Sequence, residues 1–153
     1  MPIRARRKPK QEDAKKRKWD VASRWTPRLV EGGFTVISDY FLENYARLEP
    51  PISAVEGMFI VHLMKFKWDQ AHPFPKFALL AAQMGMKESG VRACARKLQG
   101  KGYLERRLRG GRSNEFDLTP LFAKLEELQG KENVAISLDE KTTAEAQDAG
   151  RPL

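Results

Sequence analysis

Arginine is the residue whose type and spacing could do chemistry in this chain. Arg92 and Arg96 lie four residues apart in a helical repeat, and Arg106, Arg107, Arg109 and Arg112 follow in a segment that reads as a β-hairpin. A guanidinium offers five N–H donors in a planar fork, which fits phosphate oxygens and the O6/N7 edge of guanine. Residues 87–112 hold nine basic and two acidic residues, a net +7. Residues 1–18 hold the same numbers: Arg4, Arg6, Arg7, Lys8, Lys10, Lys15, Lys16, Arg17 and Lys18 against Glu12 and Asp13. The chain as a whole carries +8, from 28 Lys and Arg against 20 Asp and Glu, so everything outside these two blocks carries −6. A mildly acidic body presenting one basic helix, one basic hairpin and one basic arm has the electrostatic footprint of a nucleic-acid binder.

Other chemistries find little support. Cys94 falls on an apolar stripe and reads as a small core residue rather than a nucleophile. One cysteine and two histidines, His62 and His72, leave almost no ligands for zinc, so neither a metal nor a cofactor is expected. Gly110-Gly111 is not followed by G-K-[ST] at P-loop spacing. Glu126-Glu127 are sequence neighbours on an exposed helix face, and no nucleophile, base and oxyanion donor converge; no enzyme activity is expected. Trp68 and Phe74 flank a loop and are expected to plug the core. No apolar run approaches the roughly 18 residues of a membrane span. Gln11-Glu12-Asp13 stands where a secretory signal would be apolar. With a single cysteine, this points to a cytoplasmic, nucleoid-associated protein. The basic arm also reads as a nuclear-targeting cluster.

The elements that must position the arginines follow from periodicity. About 110 residues look globular, enough for one small domain. The reading is a basic disordered arm over 1–18, a domain over 19–130 and a flexible polar tail over 131–153. Phe34 to Ile37 is β-prone, and Ser38 can cap a short helix that Pro50-Pro51 ends. Ser53 and Glu56 make an S-x-x-E capping box before a run, Val55 to Trp68, that is apolar on nearly every face, the mark of a central helix. Phe77, Leu80, Ala81 and Met84 recur at i, i+3, i+4, i+7, and Gly85 breaks that helix. The next runs from about Lys87 to Lys101. Val91, Cys94, Ala95 and Leu98 form its inner stripe, and Glu88, Ser89, Arg92, Arg96 and Gln99 its outer face. Two strands, Tyr103–Leu108 and Glu115–Leu118, flank a loop from Arg109 to Asn114. Thr119-Pro120 opens a last helix expected to stop at Gly130.

Pro75 to Leu118, PKFALLAAQMGMKESGVRACARKLQGKGYLERRLRGGRSNEFDL, resembles a winged helix-turn-helix. Ala81 stands where two helices need a small residue to approach, Gly85 at the turn, and Gly102-Tyr103-Leu104-Glu105-Arg106-Arg107 at the start of the wing. With the upstream helices, roughly Phe34 to Leu128 is similar to the N-terminal domains of phage and plasmid replication initiators of the DnaD type. The resemblance implies a mainly α fold: a three-helix core, a β-hairpin wing, and extra N- and C-terminal helices. It implies binding to double-stranded DNA, with the helix from Lys87 as recognition helix in the major groove. Lys87, Glu88, Ser89 and Arg92 would then meet base edges, with Arg96 one turn on. Arg106, Arg107, Arg109, Arg112, Ser113 and Asn114 would form the wing contacts, only one of Arg106 and Arg107 facing DNA because strand residues alternate. The arm would add sequence-independent affinity. A homodimer and a replication or transcription partner are further expectations. Two alternatives stay open: a dimeric transcriptional repressor using the same domain, and a winged-helix adaptor that binds protein. Gly90 departs from the pattern, since glycine inside a helix costs about 1 kcal/mol relative to alanine.

Overall fold

The computed structural model describes residues 20–149. The nine basic residues of the arm lie outside the described residues. The chain divides into two compact units, one up to Thr35 and one from Val36 onward.

The described part of the first unit is two short helices, α1 (Val21–Arg24) and α2 (Pro27–Glu31). Asp20 caps α1 by accepting from the Ala22 N–H at 3.0 Å, and Thr26 caps α2 by accepting from Leu29 N–H at 3.2 Å. Pro27 fills the first turn of α2, where its missing N–H costs nothing. Phe34 to Ile37 forms no strand. β-branched residues alone do not make one: its backbone needs a ladder partner, and the described strands pair only with each other.

The second unit begins with α3 (Asp39–Asn44), a 3₁₀ turn over Tyr45–Arg47, and α4 (Ala54–Lys65). The capping box at α4 is closed in both directions: Ser53 Oγ accepts from Glu56 N–H at 3.2 Å, and the Ser53 N–H donates to Glu56 Oε1 at 2.9 Å. α4 is the central helix. It buries Phe59, Ile60 and Leu63 and packs on both α5 (Phe77–Met84) and α6 (Glu88–Gly100). It ends at Lys65, three residues before Trp68. Gly85 takes a left-handed conformation, φ +63°, which a residue with a Cβ resists, and lets Met86 N–H reach back to the Ala81 carbonyl. Ala81 is buried where α5 meets α6, and Val91, Cys94, Ala95 and Leu98 are the buried stripe of α6, as the spacing predicts.

The wing is an antiparallel pair, β1 (Glu105–Arg109) and β2 (Arg112–Asp117). Its turn is only Gly110-Gly111, with Gly111 at φ +71°. The expected loop from Arg109 to Asn114 is therefore corrected: Ser113 and Asn114 belong to β2. Polar composition suggested a loop, but a Gly-Gly pair reverses the chain in two residues and leaves its neighbours free to pair. The Phe116 N–H donates to the Pro73 carbonyl at 2.9 Å, which fastens the loop before α5 along the outer edge of β2.

α7 (Thr119–Ala149) packs over α3 and runs well past Gly130, where the sequence suggested a stop and a flexible tail. A glycine costs about 1 kcal/mol inside a helix, but a helix already nucleated propagates one residue at a time. The flanks supply that propagation. Lys131 pairs with Glu127 at 3.3 Å, while Glu132 is held by the Tyr40 hydroxyl and the Arg47 guanidinium, both at 3.2 Å. Beyond them, Ala135, Leu138, Glu140 and Lys141 are good helix formers.

Candidate nucleic-acid interface

The outer face of α6 is a stripe of four side chains, Glu88, Arg92, Arg96 and Gln99, spaced so that each lies a turn from the next. Glu88 and Arg92 pair at 2.7 Å, both about half exposed. The Arg92 guanidinium also lies 4.6 Å from the centroid of Phe77, the first residue of α5. Phe77 is 8% exposed and stacks edge-on against Phe116 of β2. Lys87 and Ser89 are exposed at the start of α6, and Arg96 is exposed one turn beyond Arg92.

Strand alternation decides what the wing adds. Arg106 stands opposite Phe116 in the register, on the face turned toward the core. Its stem runs along apolar side chains and its head emerges beside α6, a snorkelling arrangement. The head is 5.9 Å from the Phe77 ring, and its Nε donates to Gln99 Oε1 at 2.6 Å. Burial, then repulsion from Arg96 and Arg92, pulls its pKa below the ordinary guanidinium value, although a guanidinium stays charged in proteins. Arg107 takes the opposite face and pairs with Asp117 at 3.5 Å. Arg109 approaches Glu115 at 3.7 Å and lies 4.3 Å from the Phe74 ring. The backbone of Arg112 stands opposite that of Arg109 across the turn, and Ser113 and Asn114 follow it, half-buried, in β2.

Thus Arg92, Arg96 and Arg106 are brought together, while Arg107 and Arg109 are drawn toward carboxylates. Asp117 is a hub on that second side. Burial opposes its ionisation, but the N–H and hydroxyl of Thr119, then His72 and Arg107, hold its carboxyl below the usual range. Sequence reasoning left two participants without a role, Gln99 and Phe77. The position of Gln99, three residues after Arg96, was the available signal. It also misplaced Trp68 and Phe74 as core plugs: they are 82% and 53% exposed, because α4 ends before Trp68 and the Pro73 contact turns Phe74 outward. Cys94 is buried and unpaired. Among the described residues, no group of three or more His, Cys, Asp or Glu could hold a metal ion, and no helix is long and apolar enough to cross a membrane.

A helix-turn-helix whose second helix feeds a two-stranded hairpin, braced by a central helix and by helices before and after it, makes this a mainly α winged-helix protein. The family model of the DnaD N-terminal domain matches residues 37–135, and the chain belongs to that family. Membership ties it to DNA replication. Among solved structures, the crystal structure of RV1404 from Mycobacterium tuberculosis is similar over 95% of this chain and 99% of that chain, at 17% identity and a TM-score of 0.42. No curated protein matches the chain.

Proposed function

We propose that this chain binds double-stranded DNA at a preferred sequence in replication initiation, with α6 in the major groove and the hairpin as its wing. The observation that carries the reading is the convergence of Arg92, Arg96 and Arg106 on one face made by helix and wing, with Glu88 the one carboxylate paired to that trio among the described residues. A major groove admits a helix, and the first turns of that helix reach base edges. Arg92 is the base-reading candidate: Phe77 and Glu88 hold its half-exposed guanidinium in place near the start of α6, and guanine offers the matching pair of acceptors. Glu88 tempers non-specific attraction by occupying Arg92 until DNA replaces it, at the modest cost of an exposed ion pair. The basic arm contributes affinity without sequence preference, binding is the whole activity with no catalytic step, and the cytoplasmic nucleoid is its place of work.

Selection of bound duplexes from a random pool, followed by anisotropy titrations over a salt series, tests the proposal. If about six phosphates are contacted, log affinity against log salt falls with a slope near −5. Arg92→Ala lowers specific binding by about 1–3 kcal/mol and relaxes preference at one base pair. A flat salt response with no selected sequence would overturn the reading in favour of a protein-binding adaptor. Tandem direct repeats in the selected site agree with an origin; a single inverted repeat would point to a promoter instead.

A further inference from the structure

We infer that Arg96 and Arg106 form a seat for one backbone phosphodiester, assembled between the recognition helix and the first wing strand and held in shape by Gln99 and Phe77. The inference rests on the DNA-binding reading above and assigns these arginines to the backbone, leaving base recognition to Arg92.

Three observations converge on it. Arg106 is fixed before any ligand arrives. Its Nε is spent on Gln99 Oε1 at 2.6 Å and its guanidinium sits beside the Phe77 ring, while its terminal nitrogens make no hydrogen bond or ion pair among the described residues. Fixing the planar fork in advance reduces the side-chain entropy lost on binding. Arg96 makes no ion pair among the described residues, and its charge acts on Arg106 more strongly than that of Arg92. Arg96 lies one turn before Gln99 on α6, the side chain to which Arg106 is anchored; two guanidiniums on one face with no carboxylate paired to either repel, and an anion placed between them removes that repulsion. Glu88, the carboxylate on the same helix face, is committed to Arg92.

The geometry also says which anion. Arg106 is tethered through Nε at the flank of α6, so its fork is directed beside the helix and not off its tip. A helix lying in the major groove has the sugar-phosphate strand along that flank. Contacts there set the register of the protein on the duplex and carry no base information, and arginine forks suit phosphate oxygens.

The test uses the full chain and two duplexes, the selected site and an unrelated sequence, titrated from 50 to 300 mM salt. Arg106→Gln and Arg96→Gln should each weaken binding to both duplexes by roughly five- to ten-fold near 0.1 M salt and make the slope shallower by about one. Arg96 is exposed on a helix surface, so its variant folds even if Arg106→Gln disturbs the packing beneath the wing. Gln99→Ala should weaken binding in the wild-type background and add nothing to Arg106→Gln, a non-additivity that a purely structural role would not produce. Replacing single phosphates by neutral methylphosphonates should find one position where the loss is large for the wild type and absent for Arg106→Gln. Inorganic phosphate at millimolar concentration should compete no better than its ionic strength predicts; specific competition would make the seat a free-phosphate site and overturn the assignment. If the wild type selects a site with a steep salt slope but Arg96→Gln and Arg106→Gln keep that slope, the seat is refuted while the DNA-binding reading stands. If Arg106→Gln shifts base preference at one position with its slope intact, Arg106 reads bases and the seat is again refuted. A wild-type chain that binds no duplex would take the seat down with the reading on which it rests.

Discussion

Replacing Lys101 by methionine should destabilise the protein by about 2–3 kcal/mol, and the structure says why. Lys101 follows the last residue of α6, and its ammonium reaches across to the start of α4. It donates to Glu56 Oε1 at 2.7 Å, to Glu56 Oε2 at 3.1 Å and to the Pro51 carbonyl at 2.8 Å. Glu56 is 3% exposed, and the Tyr103 hydroxyl next door donates to the Pro50 carbonyl. One lysine thus ties the far end of α6 to the central helix and to the proline segment before it. Removing one partner of a buried pair costs about 3–5 kcal/mol when the remaining charge is left alone. Glu56 would not be wholly alone, since the Ser53 N–H still binds it and Lys101 is about a quarter exposed, so water can follow; this brings the figure to the lower value. Methionine keeps most of the apolar stem, so little of the loss comes from packing.

The assay is urea unfolding followed by far-ultraviolet circular dichroism, with Glu56→Gln as the second arm of a cycle. Glutamine at this helix position still closes the capping box but carries no charge. In that background Lys101→Met should cost less than about 1 kcal/mol, leaving a coupling of about 1.5–2 kcal/mol between the two side chains. For a chain of this size the single variant should melt roughly 10 °C lower. Lys101→Met within 0.5 kcal/mol of wild type, or equal losses in both backgrounds, would mean that the Lys101–Glu56 pair does not stabilise the fold.

Two further predictions follow from neighbouring features. Glu56 and Asp117 both have carboxyls held below the usual range: burial opposes this in each, and is overcome by the Lys101 ammonium and Ser53 for Glu56, and by Thr119, His72 and Arg107 for Asp117. Depressed folded-state values give stability that is complete above the unfolded values near pH 4 and lost as pH falls through the folded ones, so urea midpoints should be level from about pH 5.5 upward and fall below about pH 4, less steeply in Glu56→Gln. Gly90→Ala should raise stability by about 0.5–1 kcal/mol and change DNA affinity less than two-fold, because the added Cβ would meet only the Met86 methyl, 3.1 Å away at the end of a flexible side chain, and not the arginine face; a loss of stability, or a ten-fold loss of affinity in the same titrations, would show that the glycine is needed for close approach.

What the sequence revealed and what it hid divide along the distance over which each signal acts. The inner stripe of α6, the S-x-x-E box and the Gly85 turn are local rules, each complete within eight residues, and each appears in the structure where the spacing put it. The tie from Lys101 to Glu56 spans 45 residues, and no spacing rule links a lysine after one helix to a capping glutamate in the first turn of another. Gly130 is a local signal that lost: Glu132, caught by Tyr40 and Arg47 from far upstream, anchors the helix beyond it. The wing shows the boundary most clearly. Alternation alone says that Arg106 and Arg107 point to opposite faces. Which of them joins α6 is set by the pairing of Arg106 with Phe116 and by Phe77 waiting beneath, and both are facts of register and packing. A one-residue slip of β1 would send Arg107 to Gln99 and Arg106 to Asp117, leaving composition, charge and hairpin unchanged while exchanging the two arginines' neighbours. The arginine cluster is therefore written in the phase between β1 and β2, and the aromatic pair Phe77 and Phe116, unremarkable as core residues in the sequence, is what fixes that phase.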